Sequence, residues 1–265
     1  MRKQNTIILC DKVILEYHLP DHLRNCSDIE TMRIKDLDSL DKELKERGSS
    51  LEEKITKGII YREKFPGMVL DMRNISVDLY NDLAHMDVIP IHPHRADLAL
   101  KEDITLINKP RPITVNAVLE LEDNSVILGV RGGSVGSGEI GIIPGGHAEY
   151  REHINNLIGH LSLEFEEELG YAPCETEKIS LIGVSQNRDT HGVNALYLAR
   201  TTLDYQEIES RWKKAKDSYE HQSLIQCSKN EITTLAEEGN LQYKNTQYTT
   251  TPFFQDCLAN YLFYR

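Results

Sequence analysis

Residues 142–171 read IIPGGHAEYREHINNLIGHLSLEFEEELGY: an apolar strand end, a glycine turn, then a helix crowded with glutamate. Apolar Leu157, Ile158, Leu161, Phe165 and Leu169 recur at helical spacing, so one face of that helix is built for burial. With Glu164 set at zero on a wheel of about 100° per residue, Glu168 falls near about 40° and Glu167 near about 300°. These three carboxylates share a narrow face at the border of the apolar arc, whereas Glu166 falls on the far side, near about 200°. Like charges three and four residues apart repel and destabilise a helix, and no Lys or Arg lies between His153 and Tyr171 to offset them. Spacing alone leaves two readings open. One is a solvated acidic face; the other is a set of hard oxygen ligands converging on Mg²⁺ or Mn²⁺. Just upstream, Gly145 and Gly146 let backbone approach a ligand closely, although a plain tight turn uses the same pair.

Around this stretch the pattern is strand-rich. ITVNAVLELE (113–122) and SVILGV (125–130) flank the turn DNS and predict a hairpin. A short strand GEIGII leads into the PGGH loop, and strands KISLIGVS and GVNALYLAR follow the acidic helix. Helices are expected around DYQEIESRWKKA, KNEITTLAEE and TPFFQDCLANYLFYR, with a short strand in SLIQCS. Strands alternating with helices predict a mixed sheet between helical layers, an α/β sandwich. The composition shifts near Asn108, where Pro110 and Pro112 punctuate the chain, so two domains are expected: 108–265, and an α+β extension over 1–107. Within that extension, DIETMRIKDLDSLDKELKERGSSLEEKITKG has helical spacing broken at RGSS, and IIYREKFPGMVLDMRNISVDLYNDLAHM carries short strand-like runs. Trp212, the sole tryptophan, sits at helical spacing and reads as core, while His191 reads either as capping a hairpin turn or as facing the cleft.

The 265 residues carry 30 Lys and Arg against 42 Asp and Glu, a formal charge of -12, which repels nucleic-acid phosphates. No nucleic-acid partner is expected, and a phosphate-bearing ligand must be met by a local device. Cys10, Cys26, Cys174, Cys227 and Cys257 are scattered, odd in number and without zinc-ligand spacing, so they read as inert thiols in a reducing cytoplasm. The apolar run near the N-terminus is interrupted by Asp11 and Lys12, too soon for a membrane span or signal peptide. A cytoplasmic protein without a membrane partner is expected. Its oligomeric state is not legible.

Strand, glycine loop and acidic helix in that order resemble the Nudix box, G-x5-E-x7-R-E-U-x-E-E-x-G-U, in which U is a bulky apolar residue. Gly146 matches the first glycine and Glu152 the glutamate after it, while Glu164, Phe165, Glu167, Glu168, Gly170 and Tyr171 fill E-U-x-E-E-x-G-U. The box departs twice: ten residues, His153 to Ser162, stand where seven are expected, and Leu163 replaces the arginine. In the family that arginine pairs with the glutamate matched here by Glu152. VRGGSVGSGEIGIIPGGHAE, GVSQN and DSYEHQS, in this order, are similar to the UDP-glucose and UDP-galactose diphosphatase branch, which also has a lengthened box and an N-terminal extension.

The resemblance implies a Nudix α/β/α sandwich and hydrolysis of a nucleoside diphosphate sugar, a small-molecule partner, with Mg²⁺ or Mn²⁺ as cofactor. It implies Glu164 and Glu168 as leading metal ligands, with Glu167 as a further ligand or the water-activating base. Gly145 and Gly146 would approach the diphosphate, and Arg131 would hold a phosphate or the uracil edge through its guanidinium fork. His147 would donate to the diphosphate or ribose, Glu149 would accept sugar or ribose hydroxyls, and Tyr61 and Tyr80 would hold the uracil. Alternatives are ADP-ribose or another nucleoside diphosphate derivative as substrate, and a non-catalytic Nudix domain that senses a nucleotide.

Overall fold

A computed structural model describes residues 5–7, 14–18, 29–57, 67–78, 83–99, 110–132, 138–151, 153–173, 178–186 and 192–265. The N-terminal part contains β1 (Asn5–Ile7), β2 (Ile14–His18), α1 (Ile29–Glu46), α2 (Leu51–Thr56), β3 (Val69–Asp78), β4 (Leu83–Ile91) and α3 (Pro93–Ala99). The expected break at RGSS is present. Gly48, at φ 76°, ends α1, and Ser50 caps α2 by accepting from Glu53 N–H at 3.0 Å. Strands β2, β4 and β3 form a three-stranded sheet. Arg95 on α3 holds α1 beside it through Asp36, at 3.0 Å, and Glu43, at 2.9 Å.

From residue 113 onward come β5 (Ile113–Glu120), β6 (Val126–Arg131), β7 (Glu139–Ile142), β8 (Gly145–His147) and α4 (Leu157–Glu164), which continues as a π turn through Phe165–Leu169. Next are β9 (Lys178–Gln186), β10 (Val193–Arg200), α5 (Tyr205–Trp212) and a 3₁₀ turn at Ser218–Glu220. The chain closes with β11 (His221–Cys227), α6 (Lys229–Glu238), β12 (Asn240–Tyr243), β13 (Thr246–Thr250) and α7 (Pro252–Tyr264). β5 lies parallel to β10, while β9 is antiparallel to β10 and β6 antiparallel to β5, so the large sheet is mixed.

The nearly continuous apolar runs of β5 and β10 are buried on both faces, as strands covered on both sides require. Alternate residues feed two cores. Ile113, Val115, Ala117 and Leu119 pack with Leu157, Leu161, Phe165 and Trp212 on one face. Val118, Leu128, Leu196 and Leu198 pack with Ile232, Leu235 and Leu258 on the other. The architecture is an α/β/α sandwich, as expected.

The N-terminal part shares the first of these cores through Met68, Leu70, Met72, Met86 and Val88. Backbone joins it as well: Leu70 N–H donates to Ala148 O at 2.8 Å and Tyr150 N–H to Met68 O at 2.6 Å. The boundary expected at Asn108 itself lies outside the described residues. No helix among the described residues is long and apolar enough to cross a membrane.

Two local expectations are corrected. Within PGGH, read as a loop, Gly145–His147 form strand β8, because β5 and β6 pair only at Leu119–Ile127 and Glu120–Val126 and then diverge. The gap is filled by β7 against β6 and by β8 against Thr114, Val115 and Asn116 of β5. The acidic helix is not a uniform α-helix: from Phe165 it widens into a π turn that ends at Gly170, φ 75°, so a wheel of about 100° per residue stops describing it there. The β12–β13 hairpin, with Lys244 at φ 54° in its turn, carries a polar sequence with little apolar alternation to announce it.

Candidate active site

The divergence of β5 and β6 seats two glycines directly beneath the acidic helix. Gly145 N–H donates to Glu168 Oε2 at 2.7 Å. A Cβ at Gly146 would lie 2.4 Å from Glu164 Oε1, and one at Gly145 would lie 2.1 Å from Asn116 Oδ1. Both positions therefore need glycine because side-chain oxygens occupy the space a Cβ would take. Glu168 is buried and Glu164 half-buried, while Glu166 is exposed on the outer side, as the wheel predicted.

Electrostatically the pair is unusual. Burial, followed by the neighbouring Glu164, holds the Glu168 carboxyl well above the ordinary range; the Gly145 N–H and Arg131 act in the opposite direction. Glu164 is pushed up to about 8, first by burial and then by Glu167, Glu149, Glu220 and Asp217. Among the described residues neither Glu164 nor Glu168 has an ion-pair partner. Buried carboxyls left in this state favour either a proton or a cation.

Glu167 is arranged differently. Its Oε1 lies 2.7 Å from Lys216 Nζ, and its carbonyl accepts from Asp217 N–H at 2.8 Å. Glu149 pairs with Arg151 at 2.7 Å, and its charge still reaches Glu164. His147 stands opposite Thr114 in the β5–β8 register. Arg131 ends β6, paired in register with His221 of β11, and its charge reaches both His221 and Glu168. Tyr61, Tyr80, Glu152 and His191 lie outside the described residues.

The segment after α5 supplies residues that charge patterning did not single out: Lys216, Asp217, Glu220 and His221. DSYEHQS was legible as a motif match, but not as a neighbour of the acidic helix. His221 is buried, with its ring against the Cα of Gly129, where a Cβ would lie 2.2 Å from Cδ2. Burial and then Arg131 push its imidazole down to about 4. Among the described residues no three His, Cys, Asp or Glu side chains form a complete metal cage. Two carboxylates, those of Glu164 and Glu168, could hold Mg²⁺, an ion that usually keeps waters and takes phosphate oxygens beside one or two carboxylates. An open groove of about 440 Å³ lined by Leu121, Asp123, Tyr205 and Gln226 lies where β5 ends, away from Gly145 and Gly146, and contains no residue of this site.

No protein-family model matches the sequence, and no curated protein matches it. Among solved structures, the Nudix domain of Shewanella oneidensis NrtR, crystallised with ADP ribose, is 14% identical. The match covers 57% of this chain and 85% of that one, with a TM-score of 0.39. A Nudix hydrolase from Nitrosomonas europaea is 19% identical over 57% of this chain and 88% of its own, also at TM-score 0.39. The MutT protein of Methanosarcina mazei Go1 is 18% identical, covering 58% and 95%, again at 0.39.

Proposed function

We propose that this chain is a metal-dependent hydrolase of the Nudix type that cleaves the diphosphate of a UDP-hexose, giving UMP and hexose 1-phosphate. The observation that supports a metal-dependent hydrolase is the meeting of buried Glu168 and half-buried Glu164, neither with an ion-pair partner among the described residues, with the Gly145–Gly146 strand. Glu164 and Glu168 would hold Mg²⁺ or Mn²⁺. Such a cation offsets diphosphate charge and lowers the pKa of water. The Gly145 N–H fixes one oxygen of Glu168, and the bare Cα of Gly146 admits the carboxylate of Glu164. Arg131 binds a phosphate or the uracil edge, His147 donates to the diphosphate or ribose, and Glu149 accepts a sugar hydroxyl. Glu167 takes the proton of the attacking water or adds a further oxygen. Its pair with Lys216 is exposed, and such pairs contribute only about 0–1 kcal/mol, so the pair does not bar either role. Tyr61 and Tyr80 are assigned to the uracil by the sequence resemblance.

Glu168→Gln should abolish Mg²⁺-dependent release of UMP from UDP-glucose while the chain stays folded. Glu166→Gln, on the exposed side, should leave the rate unchanged. Near-normal turnover by the Glu168 variant would remove that residue from the site. Leu163, in place of the box arginine, favours a second reading as a nucleotide sensor; nucleotide binding without UMP release would select it.

A further inference from the structure

Asn116 and Asn194 are both buried, on adjacent parallel strands, at positions where their neighbours Val118, Leu196 and Leu198 are apolar core. Burying an amide in such surroundings is unfavourable unless its polar atoms are bonded, so this pair calls for an explanation beyond packing. Asn116 Nδ2 donates to Asn194 Oδ1 at 2.7 Å, and Asn194 Nδ2 donates in turn to Cys257 Sγ of α7 at 3.3 Å. Thr114 Oγ1 lies 3.3 Å from the same Asn194 oxygen. With Nδ2 so engaged, Asn116 Oδ1 is turned to the Cα of Gly145, in the space a Cβ would fill. On its other side Gly145 gives its N–H to Glu168.

We infer that Asn116, oriented by Asn194, is a positioning residue that sets the height of Gly145 and through it the oxygen of Glu168. The inference rests on the metal-site reading above and extends it to two residues on the opposite face of the sheet. An amide oxygen is small enough to sit against a Cα and favours Cα–H contacts. A methyl group in its place is larger and would push β8 toward the acidic helix. Leucine has nearly the shape of asparagine, and replacing both partners with apolar groups leaves no orphaned amide. The variants Asn116→Leu and Asn116→Leu/Asn194→Leu thus separate positioning from folding.

The test uses the full chain. The dissociation constant for Mn²⁺ is measured by electron paramagnetic resonance, with thermal melting in chelator and UDP-glucose hydrolysis alongside. Loss of support behind a metal ligand typically weakens metal affinity about 10- to 100-fold, and that loss is expected in both variants. The kcat should fall, with KM for UDP-glucose little changed. Ile232→Ala, in the core formed with α6, lowers the melting temperature without touching β8 and should keep wild-type Mn²⁺ affinity. Wild-type Mn²⁺ affinity in a folded double variant would overturn the inference while leaving the site reading intact. An equal loss in Ile232→Ala would reduce it to general destabilisation and so overturn it too. A wild-type chain that binds no Mn²⁺ would overturn both readings.

Discussion

Replacing Glu164 by Gln in the metal-free protein gives a result opposite to what a loss of contacts would suggest. The folded-state carboxyl is pushed from its ordinary 4.5 up to about 8, chiefly by burial. A raised carboxyl contributes full stability below about 4.5, and that stability is lost as pH rises through about 8. The gap sets a ceiling of about 5 kcal/mol, at about 1.4 kcal/mol per pKa unit. Discounting for the partial exposure of Glu164 leaves about 2–4 kcal/mol. Gln cannot ionise and keeps a similar shape against Gly146. In chelator, Glu164→Gln should therefore match the wild type near about pH 5 and exceed it by about 2–4 kcal/mol near about pH 9. Urea unfolding followed by circular dichroism measures both. Excess Mg²⁺ should then raise the wild type at neutral pH and leave the variant where it was. A variant less stable than wild type at alkaline pH would show that burial does not hold Glu164 protonated, and one still stabilised by Mg²⁺ would remove Glu164 from the cation site.

Four other perturbations follow from the same geometry. His160 and His221 are both buried and pushed down to about 4. Stability tied to them is present above about 6.5 and lost as pH falls toward about 4, by at most about 3 kcal/mol each. Urea titrations in the Glu164→Gln background should show that slope and its flattening in His221→Leu; an unchanged slope would exclude His221 as its source. Gly146→Ala places a methyl group on the Glu164 carboxylate and should lower turnover and Mn²⁺ affinity together, whereas unchanged affinity would argue against the close packing. Lys216→Ala breaks an exposed pair with Glu167 and should cost no more than about 1 kcal/mol in urea unfolding; a larger loss would contradict the solvent-screened character of that pair. Deleting residues 1–105 strips Met68, Leu70, Met72, Met86 and Val88 from the shared core, each worth about 1.5–3 kcal/mol. That sum is comparable to a whole domain's stability of about 5–15 kcal/mol, so the fragment should lack a cooperative melt, and a sharp transition would contradict the shared core.

The sandwich was legible because strands buried on both faces write long apolar runs, as in β5 and β10. The side-to-side placement of Glu164, Glu166 and Glu168 followed from helical periodicity, even though the π turn departs from that periodicity after Glu164. What pairs across the sheet left little trace. PGGH reads as a turn because nothing local reveals that β5 and β6 diverge and open a slot for it. Glu167 looked equivalent to its neighbours, and only the fold brings Lys216, 49 residues onward, to its carboxylate. Asn116 and Asn194 are 78 residues apart, and each alone reads as an interruption of a strand. The extension's sharing of the main core was hidden for the same reason: composition marks a change near Asn108 but carries no record of which surfaces meet.

Hydrolysis of a uridine diphosphate sugar at Glu164 and Glu168 is checked by parallel reactions of the full chain with UDP-glucose and with ADP-ribose, at one Mg²⁺ concentration with phosphatase-coupled phosphate release. A site built for the polar edge of uracil would leave groups unpaired against adenine. UDP-glucose should be cleaved faster, and only with the metal present. Preference for ADP-ribose, or indifference to the base, would contradict the assignment.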